Sequence, residues 1–190
     1  MSNHFWRLAG RSFLLLLVAT IVFSCRSKVR HIAQELESFQ RVAISIPEDM
    51  LRIPREDEIE VFSVEEIKPK FIMYIDSTEC SSCLVANLSS LRLLDTLSNY
   101  GERFSTFIIL SPSGSKRKAL IDELELFPPA RTVYLDINGS FADMNREIPS
   151  NPLYHSFLLN QDNHPIFVGN PLAGNDIKEA FISALSNMDN

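Results

Sequence analysis

The residues best placed to do chemistry are Cys80 and Cys83, in Cys80-Ser-Ser-Cys83. Two thiols separated by two residues can close and open a disulfide or share a metal ion, and the spacing alone leaves both open. The flanking sequence narrows the choice. Phe71 to Ile75 is an unbroken apolar run, the pattern of a short strand buried on both faces. After the pair, Leu84, Leu88, Leu91, Leu94 and Leu97 recur every three or four residues, as on one face of a helix that ends near Asn99 and Gly101. The cysteines therefore belong on a strand-to-helix turn. Helix-start N–H groups and the positive end of the helix dipole favour a thiolate there, which points to redox use.

Cysteine content supports that reading. Only Cys25, Cys80 and Cys83 are present, so no wider disulfide framework exists. A structural zinc site needs four ligands, more than two cysteines and one histidine supply. No resident cofactor is expected. A net charge of −6 argues against a nucleic-acid partner. With 45% hydrophobic and 22% charged residues, the 190-residue chain has the composition of one globular domain with an appendage.

The appendage is N-terminal. Arg7 and Arg11 precede Phe13–Phe23, eleven residues without a charge, which is signal-peptide length and too short to span a bilayer unaided. Val22-Phe23-Ser24-Cys25 follows and resembles the lipobox of bacterial lipoproteins. That resemblance implies a signal peptide over 1–24, lipidation at Cys25 and a mature chain outside the cytoplasm, where disulfide chemistry is permitted.

Val29, Ile32, Leu36 and Phe39 predict an amphipathic helix whose stripe docks on the protein's own domain in preference to a membrane. Val42–Ile46 reads as a short strand stopped by Pro47, and Arg52–Glu66 as a solvated, charge-rich connection. Residues 25–69 thus form an N-terminal helix, short strand and charged connection, and 70–190 the main domain. Within it, strands are predicted at Phe104–Leu110, Thr132–Leu135, Tyr154–Leu159 and His164–Val168. Helices are predicted at Ser115–Leu126, briefly within Ser140–Glu147, and from an Asn175 cap through Ile177, Phe181 and Leu185. Pro165 cannot donate to a ladder, so its strand belongs at a sheet edge. The order predicts an α/β fold: a central mixed β-sheet flanked by helices.

Strand, C-x-x-C, helix and a closing hairpin together resemble the thioredoxin fold over roughly 70–187. With the lipobox and the block Ser156–Asn160 and Ile166–Pro171, the chain resembles the thioredoxin-like, TlpA-related lipoproteins of the Bacteroidota. The resemblance implies a thiol–disulfide oxidoreductase with Cys80 as nucleophile and Cys83 resolving the mixed disulfide. Its partners would be protein thiols and disulfides or a membrane redox protein, and its place the periplasm-facing side of a membrane, held by a lipid anchor. The family's residue before the first cysteine is Trp and here is Glu79, a carboxylate expected to tune the pair towards reduction of its substrates. The family's buried acid is replaced by Tyr74, with Asp76 out of register, and its helix-kinking proline by Leu88. Pro152 is the expected substrate-facing cis-proline, with Pro149 as its rival.

Two other readings stand beside this one. Cys80, Cys83 and His155 could carry copper, as in Sco-type chaperones, although His155 is expected to point away from the cysteines. Alternatively, the fold serves as a non-catalytic envelope module that recognises a partner.

Overall fold

The computed structural model describes residues 26, 28–54, 68–76, 91–98, 103–129 and 131–188. Contacts divide the chain into two compact units, Met1–Ser38 and Phe39–Asn190. In the first, Arg26 and the residues from 28 onward are helical, and the helix α1 covers 28–40 as its periodicity predicts.

The second unit is built on a six-stranded sheet. Its strands are β1 (Leu51–Ile53), β2 (Lys70–Ile75), β3 (Ser105–Leu110), β4 (Val133–Leu135), β5 (Ser156–Leu159) and β6 (Pro165–Val168). They lie in the order β1-β4-β3-β2-β5-β6. The three core strands β2, β3 and β4 are parallel, while β5 pairs antiparallel with β2, β6 with β5, and β1 with β4. Helices α2 (Arg92–Ser98), α3 (Gly114–Leu126), α4 (Ser140–Met144) and α5 (Asn175–Ser186) complete the unit, with a 3-10 turn at Pro152–Tyr154.

β2 is central because its sequence leaves no polar face after Lys70. Phe71, Met73 and Ile75 enter one core with Leu91, with Leu94 and Leu97 of α2, Leu120 and Leu124 of α3, and Phe181 and Leu185 of α5. Ile72 and Tyr74 enter the other, with Phe39, Ile44, Phe141 and Phe157. Both β2–β3 and β3–β4 are parallel connections, so right-handed crossovers put α2 and α3 on one face. Arg131 fastens this layer, donating from Nη2 to Asp95 Oδ2 at 2.6 Å and to the Leu91 carbonyl at 2.8 Å.

Several expectations need correction. Val42–Ile46 is not a strand, because its polar backbone groups find other partners. Ile44 N–H donates to the Asn163 carbonyl, and Ser45 N–H to the Asn145 side chain. The first residues of the charge-rich connection, Arg52 and Ile53, instead continue a strand, β1, that starts at Leu51 and pairs with β4 at the sheet edge. Asn175 is the first residue of α5 and Gly174 its N-cap. Ile177 is more than a third exposed, whereas Phe181 and Leu185 are buried. The strand expected from Tyr154 starts at Ser156, because Pro152–Tyr154 closes a 3-10 turn first. Pro165 does begin an edge strand. Residues 39–54 belong to the larger compact unit, which starts well before position 70.

Candidate functional site

In an open α/β sheet, chemistry collects at the carboxyl ends of the parallel strands, where the loops to the helices begin. Here those ends are aligned by register, Ile75 with Leu110 and Leu110 with Leu135. The next residues lock the edge: Ser111 N–H donates to the Ile75 carbonyl and Asp136 N–H to the Leu110 carbonyl, both at 2.9 Å. Asp76, Ser111 and Asp136 therefore form one row across the sheet.

Asp136 is buried and fully engaged. Its carboxylate accepts from the N–H groups of Ser140 at 2.9 Å and Phe141 at 3.1 Å, and from Ser111 Oγ at 3.4 Å. Fixing the first turn of α4 in this way is a positioning role. Gly139 makes the tight turn before it at φ +76°, a conformation that costs an L side chain strain. On the same turn, Asp49 Oδ2 accepts from Asn138 Nδ2 at 3.1 Å and Ser140 Oγ at 3.0 Å. These bonds, Asn138 first, hold its pKa below the usual 3.8. At the amino end of β2, burial lowers the Lys70 pKa, while Lys70 Nζ donates to Asn163 Oδ1 at 3.0 Å.

The loop before β5 completes the rim. Asn151 Oδ1 accepts from Leu153 N–H, and Pro152 opens the 3-10 turn. No peptide bond among the described residues is cis, which corrects the cis geometry expected at Pro152 or Pro149. The residue directly before β5 is His155, three positions beyond Pro152. Its carbonyl accepts from Tyr74 N–H at 2.9 Å, its N–H donates to the Pro152 carbonyl, and its Nε2 meets the Pro149 carbonyl at 2.9 Å. A carbonyl only accepts, so Nε2 carries the hydrogen. The buried ring lies 5.2 Å from that of Tyr74, which lies 5.0 Å from Phe141. Tyr74 faces the core opposite the one that holds the α2 leucines. His155 thus packs against Tyr74, on the sheet face opposite the α2 leucines.

Cys80, Cys83 and Glu79 fall in residues 77–90 and Cys25 in residues 1–25, all outside the described residues. What the described residues define is the carboxyl edge formed by the ends of β2, β3 and β4, with the Pro149–His155 loop before β5. Among the described residues, no group of three or more His, Cys, Asp or Glu could hold a metal ion. Sequence reasoning took Asp136 only as part of a turn and missed its anchoring role. The available signal was Asp136-Ile137-Asn138-Gly139 directly after a strand.

No family model and no curated protein matches the chain. Solved structures similar to it include the exposed lipoprotein thioredoxin Etrx1 of Streptococcus pneumoniae, at 14% identity and a TM-score of 0.43, covering 61% of this chain and 84% of that one. A protein assigned as the thiol:disulfide interchange protein DsbE of Chlorobium tepidum is 14% identical, with a TM-score of 0.47, covering 75% and 96%. A secreted Mycobacterium tuberculosis disulfide oxidoreductase is 17% identical, with a TM-score of 0.38, covering 64% and 83%. The strand order and pairing of this chain itself, with parallel β2, β3 and β4 followed by the antiparallel β5–β6 hairpin and a last helix, make it a thioredoxin-like α/β fold.

Proposed function

We propose that this protein is a lipid-anchored thiol–disulfide oxidoreductase of the cell envelope that reduces protein disulfides with Cys80 and Cys83. One placement carries the reading. β2 lies between β3 and β5 in the middle of the sheet and ends at Ile75, and the sequence reaches Cys80-Ser-Ser-Cys83 five residues later. The chain therefore leaves the carboxyl edge of the parallel strands immediately before its two thiols.

In the reaction, the Cys80 thiolate attacks one sulfur of a substrate disulfide. A mixed disulfide forms, and the other substrate sulfur leaves as a thiolate and takes a proton. The Cys83 thiolate then attacks Cys80 Sγ, releasing the second substrate thiol and closing the Cys80–Cys83 disulfide. Two electrons pass to the substrate, and a dithiol donor must restore the pair. The Pro149–His155 loop supplies the rim on which a substrate segment would rest, with Pro152 exposed on it. Lipidation of Cys25 would hold the molecule at the membrane. Among the described residues, no helix is long and apolar enough to cross one.

Trapping tests the roles. Cys83→Ala should accumulate mixed disulfides through Cys80, and Cys80→Ala should accumulate none. Equal trapping by both variants removes the assignment. Free thiols that do not fall on mild oxidation of the wild type favour a non-catalytic binding module instead.

A further inference from the structure

The turn between β4 and α4 carries a reactive pair that the thiol chemistry does not use. Asn138 is the one asparagine in the chain followed by glycine, and it is exposed, so water reaches its amide. Gly139 stands at φ +76° and ψ 15°, with nothing within 4 Å of where a Cβ would be. Its N–H meets no acceptor among the described residues, so no hydrogen bond has to break before that nitrogen moves. A side-chain amide and an unencumbered backbone nitrogen one residue on can close a small ring. The other described asparagines lack this combination. Asn145 is buried, its amide held by Ser45 and Phe141. Asn151 and Asn170 precede prolines, which have no N–H. Asn160, Asn163, Asn175 and Asn187 are followed by residues whose side chains hinder the approach.

We propose that Asn138-Gly139 is a self-modifying site, at which the side-chain amide is lost to give aspartate and isoaspartate. The Gly139 nitrogen attacks Asn138 Cγ. The new C–N bond forms as the bond from Cγ to Nδ2 breaks, and Nδ2 leaves as ammonia with the proton from Gly139. Water then opens the succinimide ring. Attack at Cγ gives aspartate; attack at the backbone carbonyl gives isoaspartate, whose main chain runs through Cγ and is longer by one carbon. No oxidant or reductant is consumed. The products act on two bonds that hold this turn. Asn138 Nδ2 donates to Asp49 Oδ2 at 3.1 Å, and either product loses that donor. The aspartate form also sets a second carboxylate against Asp49, where like charges repel. Isoaspartate lengthens the chain between Asp136 and Ser140, whose N–H the Asp136 carboxylate accepts at 2.9 Å. The β4–α4 turn is thereby loosened from the segment before β1 and from its own anchor.

Ageing the purified protein tests both steps. It is held in mildly alkaline buffer below its unfolding temperature, then digested. The peptides are weighed and assayed for isoaspartate with protein isoaspartyl methyltransferase. The Asn138 peptide should convert first, to two products, while the Asn151 and Asn170 peptides stay unchanged. The urea midpoint should fall with the fraction converted. Asn138→Gln, which would have to close a larger ring, should keep its midpoint through the same incubation. An Asn138 peptide that converts no faster than the Asn160 peptide overturns the site. Conversion with an unchanged midpoint overturns the loosening of the turn, and so does an equal decline in Asn138→Gln.

Discussion

Asp49 is an exposed carboxylate whose hydrogen bonds tie the segment before β1 to the β4–α4 turn. Asn138 and Ser140 both donate to its ionised form, and this lowers its pKa in the folded state. A depressed folded-state pKa contributes stability that is fully present above the unfolded value of 3.8. That contribution is lost as pH falls through the lower folded value. Asp49→Ala should therefore be less stable than wild type at pH 7, and the two proteins should converge as acid protonates Asp49. Urea midpoints of both proteins on the acid side of 3.8 check this. A gap that stays constant into acid would mean that the carboxylate's charge plays no part.

At the scale of elements, the fold depends on how it holds an irregular segment against a sheet face. Asn145, buried at the end of α4, does this with one amide. Its Oδ1 accepts from Ser45 N–H at 2.7 Å, and its Nδ2 donates to the Ser45 carbonyl at 2.8 Å and the Phe141 carbonyl at 2.7 Å. The side chain imitates the two-way pairing of a neighbouring strand, which keeps Ile44 buried without a ladder. Ala at this position removes the partner of one donor and two acceptors, of which the Phe141 carbonyl is buried, and should cost about 1–3 kcal/mol. Asn145→Asp should be no better, since a carboxylate oxygen would then face two carbonyls. Chemical denaturation of both variants measures the loss, and a change within about 0.5 kcal/mol for Asn145→Ala would show that water replaces the amide. The sequence made this segment look like a strand because alternation at Val42–Ile46 reports burial of one face. It does not report which groups satisfy the backbone. β1 was hidden for the converse reason: three residues are too few for a period, and only the β4 edge makes them a strand.

For the whole molecule, the question is which way electrons flow. The chain is acidic overall, and Glu79 stands directly before Cys80. Negative charge near a thiolate raises the thiol pKa and disfavours the reduced, ionised form, making the pair a stronger reductant. At an effective dielectric of about 20–40 and a separation of about 7 Å, one carboxylate contributes on the order of 1–2 kcal/mol before solvent screening. The expected potential lies nearer thioredoxin's roughly −270 mV than the roughly −120 mV of a strong periplasmic oxidant. Equilibration with glutathione measures it, and Glu79→Gln should shift it in the oxidising direction. A wild-type potential above about −150 mV, or no shift in the variant, would overturn the assignment as a reductant.

The sequence by itself determined those parts of the protein whose signal is local. The apolar run Phe71–Ile75 could only be a strand buried on both faces. The period of α3 and the spacing of Phe181 and Leu185 in α5 specified helices with one buried side. Pro165 specified an edge, since it has no N–H to give a ladder. The C-x-x-C pair is likewise plain in the residue order. Tertiary structure decided everything that depends on a distant partner. His155, and not Pro152, meets the end of β2, because the 3-10 turn uses up three residues before β5 begins. Asp136 became the anchor of the carboxyl edge only once β3 brought Ser111 beside it. The face that His155 takes was set by the pairing of β5 with β2, since a shift of one residue would reverse every side chain. Such choices rest on contacts between residues tens of positions apart, and no periodicity along the chain encodes them.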